Sequence, residues 1–227
     1  MKKVVLITGA SSGIGREIAK KFLEKEYLLI LSGRNQEGFE YAKGKTNLDI
    51  VLGDITKSET RKKLQELVVN KHKRLDILVN NAGITYIQPF ENNTEEQINT
   101  IFETNLKAPM LLTHDLYEIM KTQKNGTIIF INSAAGKQGY PNHTMYSTMK
   151  FGLTGFSQSL RQEAKKFGIR VISIHPGGVN TALYNNLQDK PDLNQYMNAT
   201  KLAETIVFLS ETSGLSPDEI SISRTTK

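Results

Sequence analysis

Short apolar runs alternate along the whole chain with longer amphipathic stretches, and this rhythm is the feature that most restricts its fold. A short run that is apolar throughout suits a strand covered on both faces, and the amphipathic stretches between suit helices laid on those faces. The runs Val4–Thr8, Leu28–Ser32, Leu48–Leu52, Ile77–Asn80, Gly126–Asn132, Arg170–His175 and Glu219–Ser223 predict about seven strands. The continuity of the first six predicts burial on both faces. Between the first two, Ile14, Ile18 and Phe22, with Ala19 and Leu23, recur at helical spacing. Thr56-x-x-Glu59 and Asn93-x-x-Glu96 read as capping boxes opening later helices. Strand–helix alternation of this kind predicts an α/β fold, a doubly wound parallel sheet flanked by helices. No linker interrupts it, so residues 1–227 are expected to form a single domain, with a short substrate loop at about 182–199.

Composition works mainly by exclusion. The net charge is +6, but the basic residues are interleaved with acidic ones, as in Lys57-Ser58-Glu59-Thr60-Arg61-Lys62-Lys63. That is the pattern of a solvated helix face rather than of a nucleic-acid patch, although a phosphate-bearing ligand gains from a positive field. There is no cysteine, hence no disulfide and no thiolate metal site. His72, His114, His143 and His175 are scattered without metal-ligand spacing, so no metal site is expected and structural or surface roles are assigned to them. His143 lies close enough to the motifs below to brush a substrate, and Tyr140 and Tyr184 are candidate pocket walls. No apolar run approaches the roughly 20 residues of a membrane span. The apolar stretch after Met1-Lys2-Lys3 runs into a glycine turn within a few residues, which suits a first strand better than a signal peptide. Cytoplasm is the expected location.

The turn Thr8-Gly9-Ala10-Ser11-Ser12-Gly13-Ile14-Gly15 joins the first strand to the first helix. Glycines at such a turn allow a tight reversal, close approach of a pyrophosphate to the backbone, and close helix–strand packing. The helix start then offers free N–H groups and the positive end of its dipole to phosphates. At the end of the second strand stands Ser32-Gly33-Arg34. A carboxylate there would bond the ribose hydroxyls of NAD and repel a 2′-phosphate; an arginine pairs with that phosphate instead. Ser11 and Ser12 can add hydroxyl contacts, and NADP(H) is the expected cofactor.

Tyr146-Ser147-Thr148-Met149-Lys150 places a phenol and an ammonium four residues apart, on one helix face. Ser133 closes the fifth predicted strand, at the carboxyl edge where open α/β sheets bind ligands. An isolated phenol has a pKa of about 10 and is a poor acid–base group at neutral pH. An ammonium about 4 Å away, at an effective dielectric of about 20, favours the phenolate by roughly 4 kcal/mol. That would bring the tyrosine to about 7, where general acid–base catalysis is most effective.

Taken together, Thr8–Gly15, Asn80-Asn81-Ala82-Gly83, Asn105, Ser133, Tyr146-x-x-x-Lys150 and Pro176-Gly177 resemble the classical short-chain dehydrogenase/reductases, in order and over nearly the whole chain. The resemblance implies a single Rossmann-type domain, dimeric or tetrameric, that moves a hydride between NADP(H) and a small carbonyl or alcohol. It implies Tyr146 as general acid–base, Lys150 lowering its pKa and holding the nicotinamide ribose, and Ser133 bonding the substrate oxygen. It further implies Asn105 holding a water of a proton relay, Asp54 and Ile55 near the adenine, and Asn81, Ala82 and Gly83 along the cofactor floor. Val179 and Thr181 would meet the carboxamide or phosphates. For Asn81 a structural role is an equal rival. Independently of the resemblance, Pro109 lacks the N–H that the carbonyl of Asn105 would accept in an α-helix, which predicts a kink there with an inward carbonyl suited to a water.

The ending, Tyr184-Asn185-Asn186-Leu187 through Ser216–Thr225, is similar to bacterial family members acting on 3-hydroxy acids or small carbonyls. A 3-oxoacyl reductase and a non-catalytic NADP(H)-sensing protein are the rival readings. A sugar-nucleotide epimerase shares Y-x-x-x-K but expects a longer chain. The helix expected over Thr144–Phe167 carries Phe151, Leu153, Phe156 and Leu160, more apolar surface than one buried stripe needs; in relatives this helix packs against its copy.

Overall fold

The computed structural model describes residues 2–184, 192–212 and 214–224. Seven strands form one wholly parallel sheet: β1 (Val4–Thr8), β2 (Leu28–Gly33), β3 (Leu48–Leu52), β4 (Ile77–Asn80), β5 (Gly126–Ile131), β6 (Ile169–Pro176) and β7 (Glu219–Ile222), in spatial order β3-β2-β1-β4-β5-β6-β7. Each strand stands within a residue or two of its predicted bounds. The order reverses between β1 and β4, and at such a switch point a crevice opens beyond the strand carboxyl ends.

Alternation along the strands sorts the core into two layers. Val5 and Ile7 of β1 point to the face covered by α1 (Gly13–Leu23) and α6 (Ala199–Glu211). Val4 and Leu6 point to the other face, packed by α2 (Ser58–Glu66), α4 (Ala108–Gln123) and α5 (Thr144–Ala164). Burial on both faces holds for β1, β2, β4, β5 and β6 but not for β3, of whose residues Val51 alone is fully buried. β3 is one of the two edge strands, with a neighbour on one side only, and its Asp49 side chain is held by Lys71 and His72.

Neither predicted capping box forms. The Thr56 hydroxyl donates to Asp54 Oδ1 at 2.9 Å, and α2 begins after Lys57. Asn93 Nδ2 bonds the carbonyls of Pro89 and Phe90, and the box is set one residue later: Thr94 accepts from the Gln97 N–H at 3.2 Å while Gln97 reaches back to the Thr94 N–H at 3.0 Å, opening α3 (Glu95–Phe102). The interruption expected near Asn105 takes the form of a π-turn, Glu103–Lys107, joining α3 to α4, with Pro109 in the first turn of α4 where its missing N–H is tolerated. Helix α5 ends at Ala164 and tightens into a 3₁₀ turn, Lys165–Phe167, three residues short of the expected α-helical end. Of the anticipated substrate loop, Leu193–Gln195 form a 3₁₀ turn and Asn198 caps α6, its side chain accepting the N–H groups of Thr200 and Lys201; Asn185, Asn186 and Leu187 lie outside the described residues. No helix among the described residues is long and apolar enough to cross a membrane.

Candidate active site

The glycine turn leaves β1 at the switch point and rests on the end of β4. Gly9 has φ +64° and Gly13 φ +54°, conformations that L side chains rarely adopt. A Cβ on Gly9 would lie 2.8 Å from Asn81 Nδ2 and 2.9 Å from Ala82 Cα, and one on Gly15 would strike the Gly9 carbonyl at 2.5 Å. Asn81 Nδ2 donates to the carbonyls of Thr8 at 2.9 Å and Gly9 at 3.2 Å. Thr8 Oγ1 answers by accepting the N–H groups of Asn81 at 3.0 Å and Ala82 at 3.1 Å. The Asn81 amide is therefore committed to holding the turn, and Ala82 and the exposed Gly83 follow it. Ser12 precedes α1 in extended conformation, is exposed, and does not cap the helix with its side chain. Ser11 sits against Gly33 and Gly38, where a Cβ on Gly33 would lie 2.8 Å from its hydroxyl.

Arg34 follows β2 directly and is exposed. Asp54 is half-buried beyond β3, its Oδ1 accepting the Thr56 N–H at 2.9 Å, and the Ile55 side chain is buried in the α2 layer. Thr181 lies over the turn: a Cβ on Gly13 would approach its Cβ to 3.2 Å. The Val179 side chain is buried in the α1–α6 core, and its backbone forms a parallel bridge with Met197.

Ser133 comes off the end of β5 in extended conformation, its Oγ accepting the Ala135 N–H at 3.1 Å. Tyr146 and Lys150 project from the first turns of α5. The Lys150 ammonium stands 5.6 Å from the centre of the Tyr146 ring and donates to the Ile131 carbonyl at 2.8 Å. Burial pushes the Tyr146 phenol up to about 12, with the neighbouring Ser133 hydroxyl pulling the other way, and lowers Lys150 to about 8. The expectation of a phenol near 7 is thus corrected: burial disfavours the phenolate, and the Lys150 ammonium is bonded to the Ile131 carbonyl rather than to the phenol. Asn105 is buried and spends both side-chain atoms on one residue, Oδ1 accepting the Ile84 N–H at 2.9 Å and Nδ2 donating to the Ile84 carbonyl at 2.7 Å. It ties the π-turn to the segment that follows Gly83.

Aromatic rings surround the phenol. His143 lies edge-on to Tyr146 with ring centres 6.3 Å apart, and Tyr140 is 5.9 Å from His143. Tyr184 meets Tyr196 edge-to-face at 5.2 Å. Residues that sequence reasoning did not assign also converge here. Asn132, Thr154 and His175 are buried beside Ser133 and Lys150; Thr154 stands one turn beyond Lys150 on the same helix face, a spacing that was open to inspection.

A glycine turn at the switch point of a doubly wound sheet, with serine, tyrosine and lysine gathered at the neighbouring strand ends, defines a dinucleotide-fold oxidoreductase. The chain belongs to the short-chain dehydrogenases, the family whose model matches residues 3–192. A sepiapterin reductase of Chlorobaculum tepidum is 30% identical over 240 residues, covering 94% of this chain and 98% of the relative. Among solved structures, an actinorhodin polyketide ketoreductase with NADPH is similar with TM-score 0.88 and 26% identity, over 98% of this chain and 96% of that one. A 3-ketoacyl-(acyl-carrier-protein) reductase from Brucella melitensis, complexed with NADH, has TM-score 0.89 and 26% identity, over 97% and 96%.

Proposed function

We propose that this chain is an NADP(H)-dependent reductase of small ketones, aldehydes or 3-oxo acids, reversible to alcohol oxidation, with Tyr146 as its general acid–base. The observation that carries the reading is the gathering of Ser133, Tyr146 and Lys150 at the strand ends beside the glycine turn. The turn fits a dinucleotide: Gly9 and Gly15 leave no room for a Cβ, and the start of α1 is open. Arg34 is placed for a 2′-phosphate, with no carboxylate in Ser32-Gly33-Arg34 to oppose it. Ser11, Ser12, Gly13, Ile14 and Thr181 would border the phosphates, Asp54 and Ile55 the adenine, and Ala82 and Gly83 the ribose floor.

Bound NADP(H) supplies or accepts the hydride. The chain itself orients the substrate oxygen and moves the proton. Ser133 Oγ and the Tyr146 hydroxyl hold the carbonyl oxygen between them. At a pKa of about 12 the phenol is protonated throughout the neutral range, which suits the donor role in reduction. As oxygen gains negative charge the phenol hands over its proton, and the Lys150 ammonium stabilises the phenolate left behind. His143, Tyr140 and Tyr184 would form walls of the substrate pocket. A 3-oxoacyl reductase is the second reading, favoured by the likeness to the Brucella enzyme; carrier-linked against free substrates separates the two. Phe151 is 46% exposed on α5, and we assign that face to a second copy of the chain, so that Phe151→Arg should leave monomers in sedimentation.

The test is oxidation of NADPH and NADH against 2,3-butanedione, acetoacetate and benzaldehyde, with Tyr146→Phe alongside. NADPH-preferring turnover that vanishes in Tyr146→Phe is expected. Retention of most of the wild-type rate by that variant would refute the assignment.

A further inference from the structure

The amide of Asn132 is buried, 3% exposed, at the end of β5, and it ties together the parts of the site that come from different elements. Its Oδ1 accepts the main-chain N–H of Ser133 at 3.0 Å. Its Nδ2 donates to Thr154 Oγ1 at 2.9 Å, and lies 3.3 Å from the Lys150 carbonyl and 3.4 Å from Ser173 Oγ. Thr154 Oγ1 in turn lies 3.0 Å from the carbonyls of both Gly136 and Lys150. A Cβ on Gly136 would fall 2.7 Å from Asn132 Oδ1 and 2.9 Å from the Lys150 carbonyl, so the turn after Ser133 is packed directly onto this amide. One side chain therefore fixes the strand end bearing Ser133 against the backbone of the α5 turn bearing Lys150, with β6 behind. The far end of the Ser133 peptide is held by His175, whose Nδ1 donates to the Ser133 carbonyl at 3.1 Å.

A buried amide is costly unless each of its groups finds a partner, and a small apolar residue would fill the same core position at less cost. What the amide adds is a single geometry: a fully satisfied polar network admits one arrangement where apolar packing admits several. We propose that Asn132 is a positioning residue of the oxidoreductase reaction, setting Ser133 in register with Tyr146 and Lys150 through Thr154 and the Lys150 carbonyl. The proposal rests on the assignment of those three as the reacting groups. Displacement of a reacting group by about 1 Å is enough to cost on the order of 100-fold in rate, and the loss falls on kcat rather than on KM for NADPH, whose phosphates are assigned to the glycine turn.

The experiment measures kcat and KM for NADPH and 2,3-butanedione, acetoacetate and benzaldehyde in Asn132→Ala and Thr154→Val, beside wild type and Tyr146→Phe. NADPH binding is titrated by fluorescence to count folded sites. Expected for Asn132→Ala is a fall in kcat of roughly ten- to hundred-fold per folded site, with KM for NADPH changed by no more than about threefold. Thr154→Val, nearly isosteric, should lose kcat in the same sense but less, and the two losses should not add in the double variant. A kcat within about twofold of wild type in both variants, with Tyr146→Phe inactive, overturns the proposal and leaves the assignment of the reacting groups standing. A rise in KM alone also overturns it. Should Asn132→Ala fail to fold, Thr154→Val decides by the same criterion. A wild type inactive on all three carbonyls, or an active Tyr146→Phe, removes the underlying assignment and the proposal with it.

Discussion

The ammonium of Lys150 is bonded to the main-chain carbonyl of Ile131 at 2.8 Å, so the end of β5, and not the phenol, is its direct partner. Burial lowers its pKa from 10.5 to about 8, which brings its loss of charge into the range of an ordinary assay. On the proposed mechanism reduction needs the cation, because it would stabilise the phenolate formed as Tyr146 gives up its proton. Tyr146, at about 12, remains protonated throughout. The expected outcome is a kcat/KM for NADPH-driven reduction that is level below pH about 8 and declines above it, since kcat/KM reports ionisations of the free enzyme. Lys150→Arg, whose guanidinium keeps its charge, should be slower but free of that decline. A wild-type profile level to pH 10 would contradict this account of Lys150.

The support of the glycine turn by Asn81 makes a prediction about stability and binding together. Gly9→Ala would force a side chain into φ +64° and against Asn81 Nδ2 and Ala82 Cα. Backbone strain of this kind costs about 1–3 kcal/mol, and the contact adds to it. Asn81→Ala instead removes the donor to two carbonyls, a loss of about 1–3 kcal/mol where the stranded groups are shielded from water. Both variants should show a lower urea midpoint and weaker NADPH binding. If Gly9→Ala binds NADPH as wild type does, the turn is not the phosphate site.

The sheet was readable from the sequence because each buried strand carries its own signal, a short apolar run ended by a glycine or asparagine. Position in the sheet is signalled more weakly: in β3 the one charged residue, Asp49, marks a strand at the edge, within a run that is otherwise apolar. Caps were misplaced by one residue because several hydroxyl and amide side chains compete near each helix start: Asn93 turns back to the carbonyls of Pro89 and Phe90, leaving Thr94 to cap α3. At the site, residues set by local spacing were found: the glycine turn, and Tyr146 with Lys150. Asn132 and Thr154, whose meaning comes from partners far along the chain, were missed: they bond each other across 22 residues. Asn81 and His175 were named, but their bonds to Thr8 and Ser133, across 73 and 42 residues, were not legible. The phenol's pKa failed for a further reason. The sequence brings Lys150 near Tyr146, but it does not disclose that both are desolvated together.

Cofactor choice is expected to rest on Arg34. It stands exposed immediately after β2, where it can approach a 2′-phosphate as a charge-assisted pair worth about 1.5–3 kcal/mol. Since about 1.4 kcal/mol is tenfold, Arg34→Ala should raise KM for NADPH by roughly ten- to hundred-fold while changing KM for NADH little. Arg34→Glu should go further and reverse the preference. Equal effects on both cofactors would mean that Arg34 serves the fold or a shared part of the dinucleotide.

His175 should give the protein a pH-dependent stability distinct from that of its carboxylates. Its Nδ1 must carry the proton, because the Ser133 carbonyl can only accept. Its Nε2 is buried without a hydrogen-bond partner among the described residues, so a second proton would find no acceptor. Burial accordingly holds the imidazole below its ordinary 6.5; Lys137 and Lys150 act in the same direction, against the Ser133 carbonyl and Glu219. The unfolded chain then binds more protons than the folded one below pH 6.5, and stability falls as the pH falls through that region. Glu17 and Glu219, lowered from 4.5, and Asp49, lowered from 3.8, act at more acid pH. The urea midpoint of the wild type should therefore decline between pH 7 and pH 5, before the carboxylates titrate. His175→Asn retains a donor on the same side of the residue, able to reach the Ser133 carbonyl, but has nothing to titrate. Its midpoint should be nearly level over that interval, and an equal decline in the two proteins would assign the acid sensitivity to another group.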